Sequence, residues 1–411
     1  MTTLAALCAI GTEKILANEI KKLGFKTCGK AAGRVLFLCP ENELFTPNLC
    51  LRTADRIYLQ AGVFPAEDFD ALFDGVYALN WQDFFNKDVK PHIDKIRLHS
   101  SKLTSQHSVQ SVVHKAVCKK LGSVWHMEVL PESGAQADIR IYIEKNVVSV
   151  LLDLSGAPLN RRGYRKDGGS APIRETLAAS LLQFMCWRRK TPFHDPFCGS
   201  GTIAIEAALY AYNIPPGFGR RFALENLRFF DPPRADEIKK REAAKIRPEV
   251  TARITGTDID PDAVERARAN AERACVSAGR ALQLIGSDQR IQRPQFDCAG
   301  FTDIKAPYDT GLIIANPPYG ERLNSQTEIQ ALYAQMSCLF TDFAHWDMGF
   351  ITASNEFENL IGKRAASVKN LKGGNLDTFF YIYQNAPAGR KDEHKDGTAH
   401  SFEKRRTRWE S

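Results

Sequence analysis

The sequence predicts an α/β protein of more than one domain, whose second half is a doubly wound parallel sheet. Three observations carry this. Four strand-like runs follow one another between 191 and 319, each leaving into a loop or a helix: "TPFHDPFCGSGTIAIEAAL", "ARITGTDIDPDAVERARANAERA", "ALQLIGSDQ" and "YDTGLIIANPPY". Residues 1–156 also alternate strand and helix, in shorter units. A chain of 411 residues that is 44% hydrophobic buries more than one core.

The first unit, 1–50, reads as strand ("TLAALCAI"), helix ("GTEKILANEIKKLG") and strand ("GRVLFLC"), with Ile15, Leu16, Ile20 and Leu23 on the apolar helix face and Glu13, Lys14, Glu19 and Lys21 outward. The second, 51–156, holds the strand "DKIRLHSSKL", the helix "TSQHSVQSVVHKAVCKKLG" and the hairpin "ADIRIYIEKNVVSVLLDLSG" with its turn at Lys145–Asn146. Val109, Val112, Val113, Ala116, Val117 and Leu121 line one face of that helix, which leaves Lys115, Lys119 and Lys120 for solvent or a partner. The third region, to 385, opens after the Gly- and Arg-rich linker "LNRRGYRKDGGS" with a helix, "APIRETLAASLLQFMCW", and closes with the strand "WDMGFITASN" and the hairpin "SVKNLKGGNLDTFFYIYQ". Residues 386–411 turn polar and end in the basic "EKRRTRWES", the composition of a disordered tail.

Bulk properties narrow the function. Lys+Arg 55 against Asp+Glu 48, net +7, permits a polyanionic partner without demanding one. Ten cysteines without a CxxC pair or regular spacing indicate neither a zinc site nor a disulfide framework, and fit a reducing cytoplasm. No signal peptide or membrane-length apolar run is visible, so a cytosolic protein with no membrane partner is expected.

Ligands of doubly wound sheets bind at the carboxyl ends of the strands. "DPFCGSGT" puts Asp195 at a strand end, then Gly199 and Gly201 in the turn that opens a helix. It is neither a full GxGxxG nor a P-loop, because the third glycine and the Gly-Lys-Ser/Thr are missing. "TDID" puts Asp258 where a carboxylate accepts both ribose hydroxyls; Asp260, followed by Pro261, reads as a helix N-cap. "GSDQ" puts Asp288 where the exocyclic amine of a base could donate. Together the three acids describe a nucleoside cradle, and no cation follows the first turn to take a pyrophosphate. After the strand "TGLIIA", the prolines of "NPPY" must leave the sheet, which fixes the Asn316 side-chain oxygen and the Pro317 carbonyl as acceptors beside Pro318 and the Tyr319 ring. Two convergent acceptors and a π-face suit a planar base with an exocyclic amine; a purely structural turn could also use Asn-Pro-Pro.

These motifs resemble those of class I S-adenosylmethionine-dependent methyltransferases. With "LNRRGYR", "APIRETLAA", "DPFCGSGTIAIEAA" and "NPPYGERL", residues 1–385 more closely resemble the THUMP-domain RNA guanine-N2 methyltransferases that modify large-subunit ribosomal RNA. The resemblance implies a ferredoxin-like unit over 1–50, a THUMP RNA-binding module over 51–156 and a Rossmann-like methyltransferase domain over 157–385. It implies S-adenosylmethionine as cofactor, with Asp195, Phe197, Gly199 and Gly201 at its methionine end, Asp258 at the ribose, Asp288 at the adenine, and Thr202 and Ile259 also binding it. Asn316, Pro317, Pro318 and Tyr319 would hold the guanine, with Asn316 also facing the cofactor. Lys102, Lys115, Lys119, Arg161, Arg162, Tyr164 and Arg165 are the expected RNA contacts, Arg161 to Arg165 otherwise forming a solvated hinge or a flap over the cofactor. The expected partner is large-subunit ribosomal RNA or its precursor, with no obligate protein partner. A non-catalytic assembly factor, and an NPPY enzyme acting on DNA adenine or protein glutamine, are the rival readings. The basic and aromatic insert over 213–250 is expected either to help shape the RNA site or to add a helix.

Overall fold

The structure, a computed structural model, describes residues 1–166, 172–319, 326–373 and 376–385. Part of the 159–170 linker, Gly320–Leu323 of "NPPYGERL", the turn of the last hairpin and the tail lie outside the described residues.

The N-terminal half comprises β1 (Thr2–Leu7), α1 (Glu13–Lys22), β2 (Lys26–Ala31), β3 (Arg34–Cys39), α2 (Phe45–Cys50), β4 (Arg56–Pro65), α3 (Phe69–Tyr77), α4 (Trp81–Phe84), β5 (Lys90–His99), α5 (Gln106–Trp125), β6 (Gln136–Glu144) and β7 (Val147–Asp153). One seven-stranded sheet runs through it in the order β2-β3-β1-β4-β7-β6-β5, antiparallel except for β5 with β6. The first four strands with α1 and α2 make a βαββαβ ferredoxin-like unit. That unit needs β4, so its strands run past residue 50, and β4 then pairs with β7 of the following module. Lys145 and Asn146 take φ of 52° and 61°, the conformation a tight two-residue hairpin between β6 and β7 requires. On α1, Glu19 points inward, because its carboxylate accepts the Arg52 and Thr53 amides at 3.0 and 3.1 Å.

The second half comprises α6 (Glu175–Phe184), β8 (Phe193–Asp195), α7 (Thr202–Ala211), α8 (Pro232–Ala243), β9 (Ile254–Asp258), α9 (Pro261–Gln283), β10 (Gln295–Cys298), β11 (Leu312–Ala315), α10 (Gln326–Gln335), α11 (Leu339–Asp342), β12 (Asp347–Thr352), α12 (Phe357–Ile361), β13 (Ser367–Gly373) and β14 (Leu376–Tyr383). Its sheet runs β10-β9-β8-β11-β12-β14-β13, parallel up to β12 and antiparallel at β14 and β13. Strand order reverses between β8 and β11, and a doubly wound sheet opens its ligand crevice there. The buried β8 and β11 carry no charge but Asp195, so the only ionisable carboxyl on them sits at the crevice.

"ALQLIGSDQ" is not a strand. The α9 helix runs to Gln283, and Gly286 at φ 68° lies in the turn beyond its end. The third parallel strand is the four-residue β10, whose only buried residue is Phe296.

Several contacts join the halves, among them Thr176 Oγ1 donating to Asp55 Oδ1 at 2.5 Å and the three that follow. Ile10 and Lys372 exchange backbone hydrogen bonds of 3.1 and 3.0 Å, linking the β1 end to β13. Phe222, Leu224, Leu227, Ala235 and Ile238, all from the 213–250 insert, belong to the N-terminal core, and Arg241 of α8 clamps Glu43 through two nitrogens at 2.7 and 2.8 Å. The insert is therefore a strut between the two sheets. The third contact is Arg162, described below.

Candidate active site

Two cavities meet at the strand ends. The smaller, about 200 Å³, lies over the β8–α7 turn; the larger, about 660 Å³, extends toward the loop after β10. Phe197, Gly199, Asp258 and Asn316 line both. Asp195 and Thr202 line the smaller one, Ile259 and Pro318 the larger. Sequence reasoning thus named eight residues that the fold brings together.

The β8–α7 turn is tight, with Gly201 N–H donating to the Cys198 carbonyl at 2.7 Å. Gly199 and Gly201 both have positive φ, 51° and 80°, but for different ends. A Cβ on Gly199 would meet nothing within 4 Å, so this residue presents bare backbone to the cavity. A Cβ on Gly201 would fall 2.9 Å from Phe296 and 3.0 Å from Ala267, so Gly201 serves helix–sheet packing.

Asp258 ends β9. Its Oδ2 accepts the Gly199 amide at 2.8 Å and its Oδ1 the Asp260 amide at 3.0 Å. Each carboxylate oxygen keeps a free lone pair, enough for two vicinal hydroxyls. Asp260 caps α9 by accepting the Asp262 amide at 2.9 Å, and its other oxygen pairs with Arg266 at 3.1 Å. Asp195 is 1% exposed, and its carboxyl accepts the Phe197 amide at 3.1 Å. Burial pushes it well above the ordinary carboxylate range, opposed by that amide and assisted by the Asp258 charge. Among the described residues no cation pairs with it, so a ligand ammonium would supply its missing counter-charge.

Just after β11, Asn316 is half-buried, and its Oδ1 is shielded from solvent without a hydrogen-bond partner among the described residues. An orphaned acceptor beside a cavity is a place for a donor to arrive. Pro317 is buried, and Pro318 offers its carbonyl to the Tyr333 hydroxyl at 3.3 Å. Tyr333 also meets Thr352 Oγ1 at 2.7 Å, and burial pushes its hydroxyl up to about 12. It therefore stays a donor and pins the Pro-Pro turn from α10. Nothing in the sequence distinguished Tyr333 from other helical aromatics. Tyr319 is half-buried at the end of the described segment.

Asp288 is a correction. It is exposed, lies beyond the end of α9 and lines neither cavity, because the strand meant to carry it is not there. The loop after β10 takes that place, with Ala299, Gly300, Phe301 and Asp303 on the larger cavity and Phe301 packed against Phe197 at 5.1 Å between ring centroids. The available signal was "QFDC", a single buried aromatic after a proline.

The linker residues also divide. Arg162 is interior, its side chain 3% exposed; Nε pairs with Glu206 at 3.4 Å, and the two terminal nitrogens donate to the Leu159 and Arg52 carbonyls. Tyr164 is buried and donates to Glu206 at 3.2 Å. Neither can reach a phosphate, which corrects that expectation. Arg165 donates to Thr202 Oγ1 at 2.6 Å and to the Ile173 carbonyl at 3.2 Å, so it braces the cofactor side of the fold. Arg161 is exposed. On the N-terminal half, Lys115 and Lys119 are exposed on α5, with Lys119 5.7 Å over the Phe73 ring, and exposed Lys102 pairs with Glu67.

This donor set fits S-adenosylmethionine. The bare Gly199 backbone and the uncompensated Asp195 carboxyl suit its methionine end, the Asp258 lone pairs its ribose, and Ile259 and Phe301 an adenine face.

Comparison with known proteins agrees. Residues 3–58 match the RlmL ferredoxin-like domain, 66–153 the THUMP domain, and 162–382 the RMKL-like methyltransferase domain. The Bacillus subtilis protein YpsC, whose name gives it as a candidate RNA methyltransferase, is 36% identical over 384 residues, 93% of this chain and 95% of its own. Two crystal structures superpose with a TM-score of 0.84 at 33% identity, each covering 93% of this chain. One is SMU.472, described as a candidate methyltransferase complexed with SAH, 98% covered. The other, from Listeria monocytogenes, is titled an expected N6-adenine-specific DNA methylase and is 96% covered. No helix among the described residues is long and apolar enough to cross a membrane.

Proposed function

This chain belongs to the RMKL-like methyltransferases that carry an RlmL ferredoxin-like domain and a THUMP domain; from its place among these S-adenosylmethionine-dependent RNA methyltransferases, we propose that it methylates the exocyclic N2 of a guanosine in large-subunit ribosomal RNA. The observation that carries the proposal is the orphaned Asn316 Oδ1 on the cavity wall, ahead of a Pro-Pro turn that Tyr333 holds rigid.

When bound, S-adenosylmethionine supplies an electrophilic methyl group on a sulfonium. The chain's residues bind and orient. Asp195 takes the ammonium, Asp258 the ribose hydroxyls, and the loop after β10 the adenine. Asn316 Oδ1 accepts one hydrogen of the target amine and the Pro317 carbonyl the other, turning the nitrogen lone pair away from the ring and toward the cavity. Tyr319 offers its ring as a stacking face for the base. The methylated nitrogen is acidic and loses its proton to water, so no side chain need act as a strong base. The base must be unpaired or flipped out of its helix to reach Tyr319. Lys102, Lys115, Lys119 and Arg161 supply phosphate contacts, which makes binding steeply salt-dependent.

The test is incubation with radiolabelled S-adenosylmethionine and total ribosomal RNA from a strain lacking the gene, followed by nucleoside mass spectrometry. Label in N2-methylguanosine of the large-subunit RNA is expected. Label in N6-methyladenosine instead would overturn the assignment of the base while keeping that of the amine-binding turn, and unlabelled RNA would overturn the RNA substrate.

A further inference from the structure

Helix α5 carries His114 and Cys118 one turn apart, and the chain returning from its C-terminus toward β6 brings Glu132 over that same turn. His114 Nε2 lies 3.7 Å from Cys118 Sγ and 3.8 Å from Glu132 Oε1. One ligand atom from each of the three lies within 4.8 Å of the others. Among the described residues, these side chains have no polar partner but one another.

A tetrahedral ion with bonds of about 2.0–2.3 Å sets neighbouring nitrogen, oxygen and sulfur ligands about 3.4–3.6 Å apart. The observed separations from His114 exceed that by a few tenths of an ångström, and with all three ligand atoms inside 4.8 Å the side chains must draw together to close on an ion. Imidazole and thiolate together favour zinc over the hard cations calcium and magnesium. Residues at i and i+4 present both ligands from one helix face, so the helix preorganises two of the three.

We propose that His114, Cys118 and Glu132 form a binding site for one Zn²⁺ ion, with water as fourth ligand. The ion clamps the 126–132 segment to α5. Cys118 and Glu132 also border an open cavity of about 920 Å³, which leaves the fourth position accessible to water or to an incoming ligand atom. The sequence spacing concealed the site, because Glu132 lies fourteen positions from Cys118 and no CxxC marks it.

The test uses the full-length protein, stripped with a chelator and titrated with Co²⁺ alone as the spectroscopic probe. One equivalent should bind with a thiolate-to-cobalt charge-transfer band and tetrahedral visible bands, all displaced by Zn²⁺. Cys118→Ser should lose the charge-transfer band, and His114→Gln should weaken binding at least about tenfold. Zn²⁺ should raise the melting temperature of the parent protein and not of Cys118→Ser, with circular dichroism checking that each variant is folded. Should Cys118→Ser not fold, His114→Gln decides alone: unchanged affinity overturns the site. Absence of the band in the parent protein, or a band that survives Cys118→Ser, overturns it as well, the second by placing the metal on other cysteines.

Discussion

Asp258 Oδ2 accepts the Gly199 amide at 2.8 Å, so the acid at the end of β9 holds the glycine turn at the end of β8. The same carboxylate then has one free lone pair on each oxygen, enough for the two ribose hydroxyls proposed for it. Asp258→Ala removes both functions. A lost hydrogen bond to a charged group costs about 1.5–3 kcal/mol, so the dissociation constant for S-adenosylmethionine, measured calorimetrically, should rise by roughly 10- to 100-fold. RNA affinity without cofactor should not change. An unaltered cofactor affinity would remove Asp258 from the ribose site.

Asn316 supplies an acceptor that no group among the described residues satisfies. Asn316→Ala should lower kcat by about 10²–10³-fold, the usual consequence of deleting one preorganised polar group around a reacting centre. Cofactor binding should stay within a few-fold of the parent value. Retained turnover would count against the whole amine-binding turn.

Asp195 has a cost and a use. Burial raises its carboxyl, so the stability associated with its protonated form is complete below the ordinary 3.8 and is lost as pH rises through the raised folded value. Asp195→Asn removes that loss. Relative to the parent, the cofactor-free variant should gain stability on going from pH 5 to pH 8 in urea denaturation, while its affinity for S-adenosylmethionine falls. A stability difference independent of pH would mean that the buried acid finds a counter-charge in the free protein.

The imidazole of His194, one residue earlier, behaves oppositely. Burial lowers it from 6.5 to about 4, and its ring faces Thr255 Oγ1 at 2.8 Å and stacks on Phe343. A lowered base contributes stability that is present above 6.5 and lost as pH falls through about 4, here about 3 kcal/mol. His194→Gln should flatten that part of the acid limb. Asp153, pushed up to about 6 by burial, titrates in the same window, and comparison of parent with variant subtracts it.

Much of this is legible in the sequence. Asp195, Gly199, Asp258 and Asn316 stand at strand ends, and strand ends follow from short apolar runs broken by Gly, Asp or Pro. Asp288 failed for a physical reason. "ALQLIG" has the apolar content of a strand, but Ala281 and Leu282 finish the buried stripe of a 23-residue helix, whereas Leu284 and Ile285 are exposed. The strand that does form, β10, buries one side chain and leaves almost no pattern to read. Arg162 failed differently. Composition cannot tell a solvated arginine from one that the other domain encloses, and Glu206, forty-four positions away, decides it. The insert shows the same limit, since its partners Glu43 and Phe45 lie about two hundred residues upstream.

Arg162 therefore tests which role the linker plays. Its side chain is 3% exposed and that of Glu206 is fully buried, and Glu206 Oε2 has no hydrogen-bond partner among the described residues. Removing one member of such a pair strands the other charge, at a cost of about 3–5 kcal/mol, whereas replacing both by apolar groups is often neutral. Arg162→Met should sharply lower the midpoint of urea denaturation, and Arg162→Met with Glu206→Leu should recover much of the loss. Neither change should alter RNA affinity per folded molecule in a filter-binding assay at fixed salt. Arg161→Ala should do the converse, weakening RNA binding and flattening its salt dependence without moving the denaturation midpoint. If Arg162→Met instead leaves stability intact and weakens RNA binding, the arginine must turn outward when RNA is present.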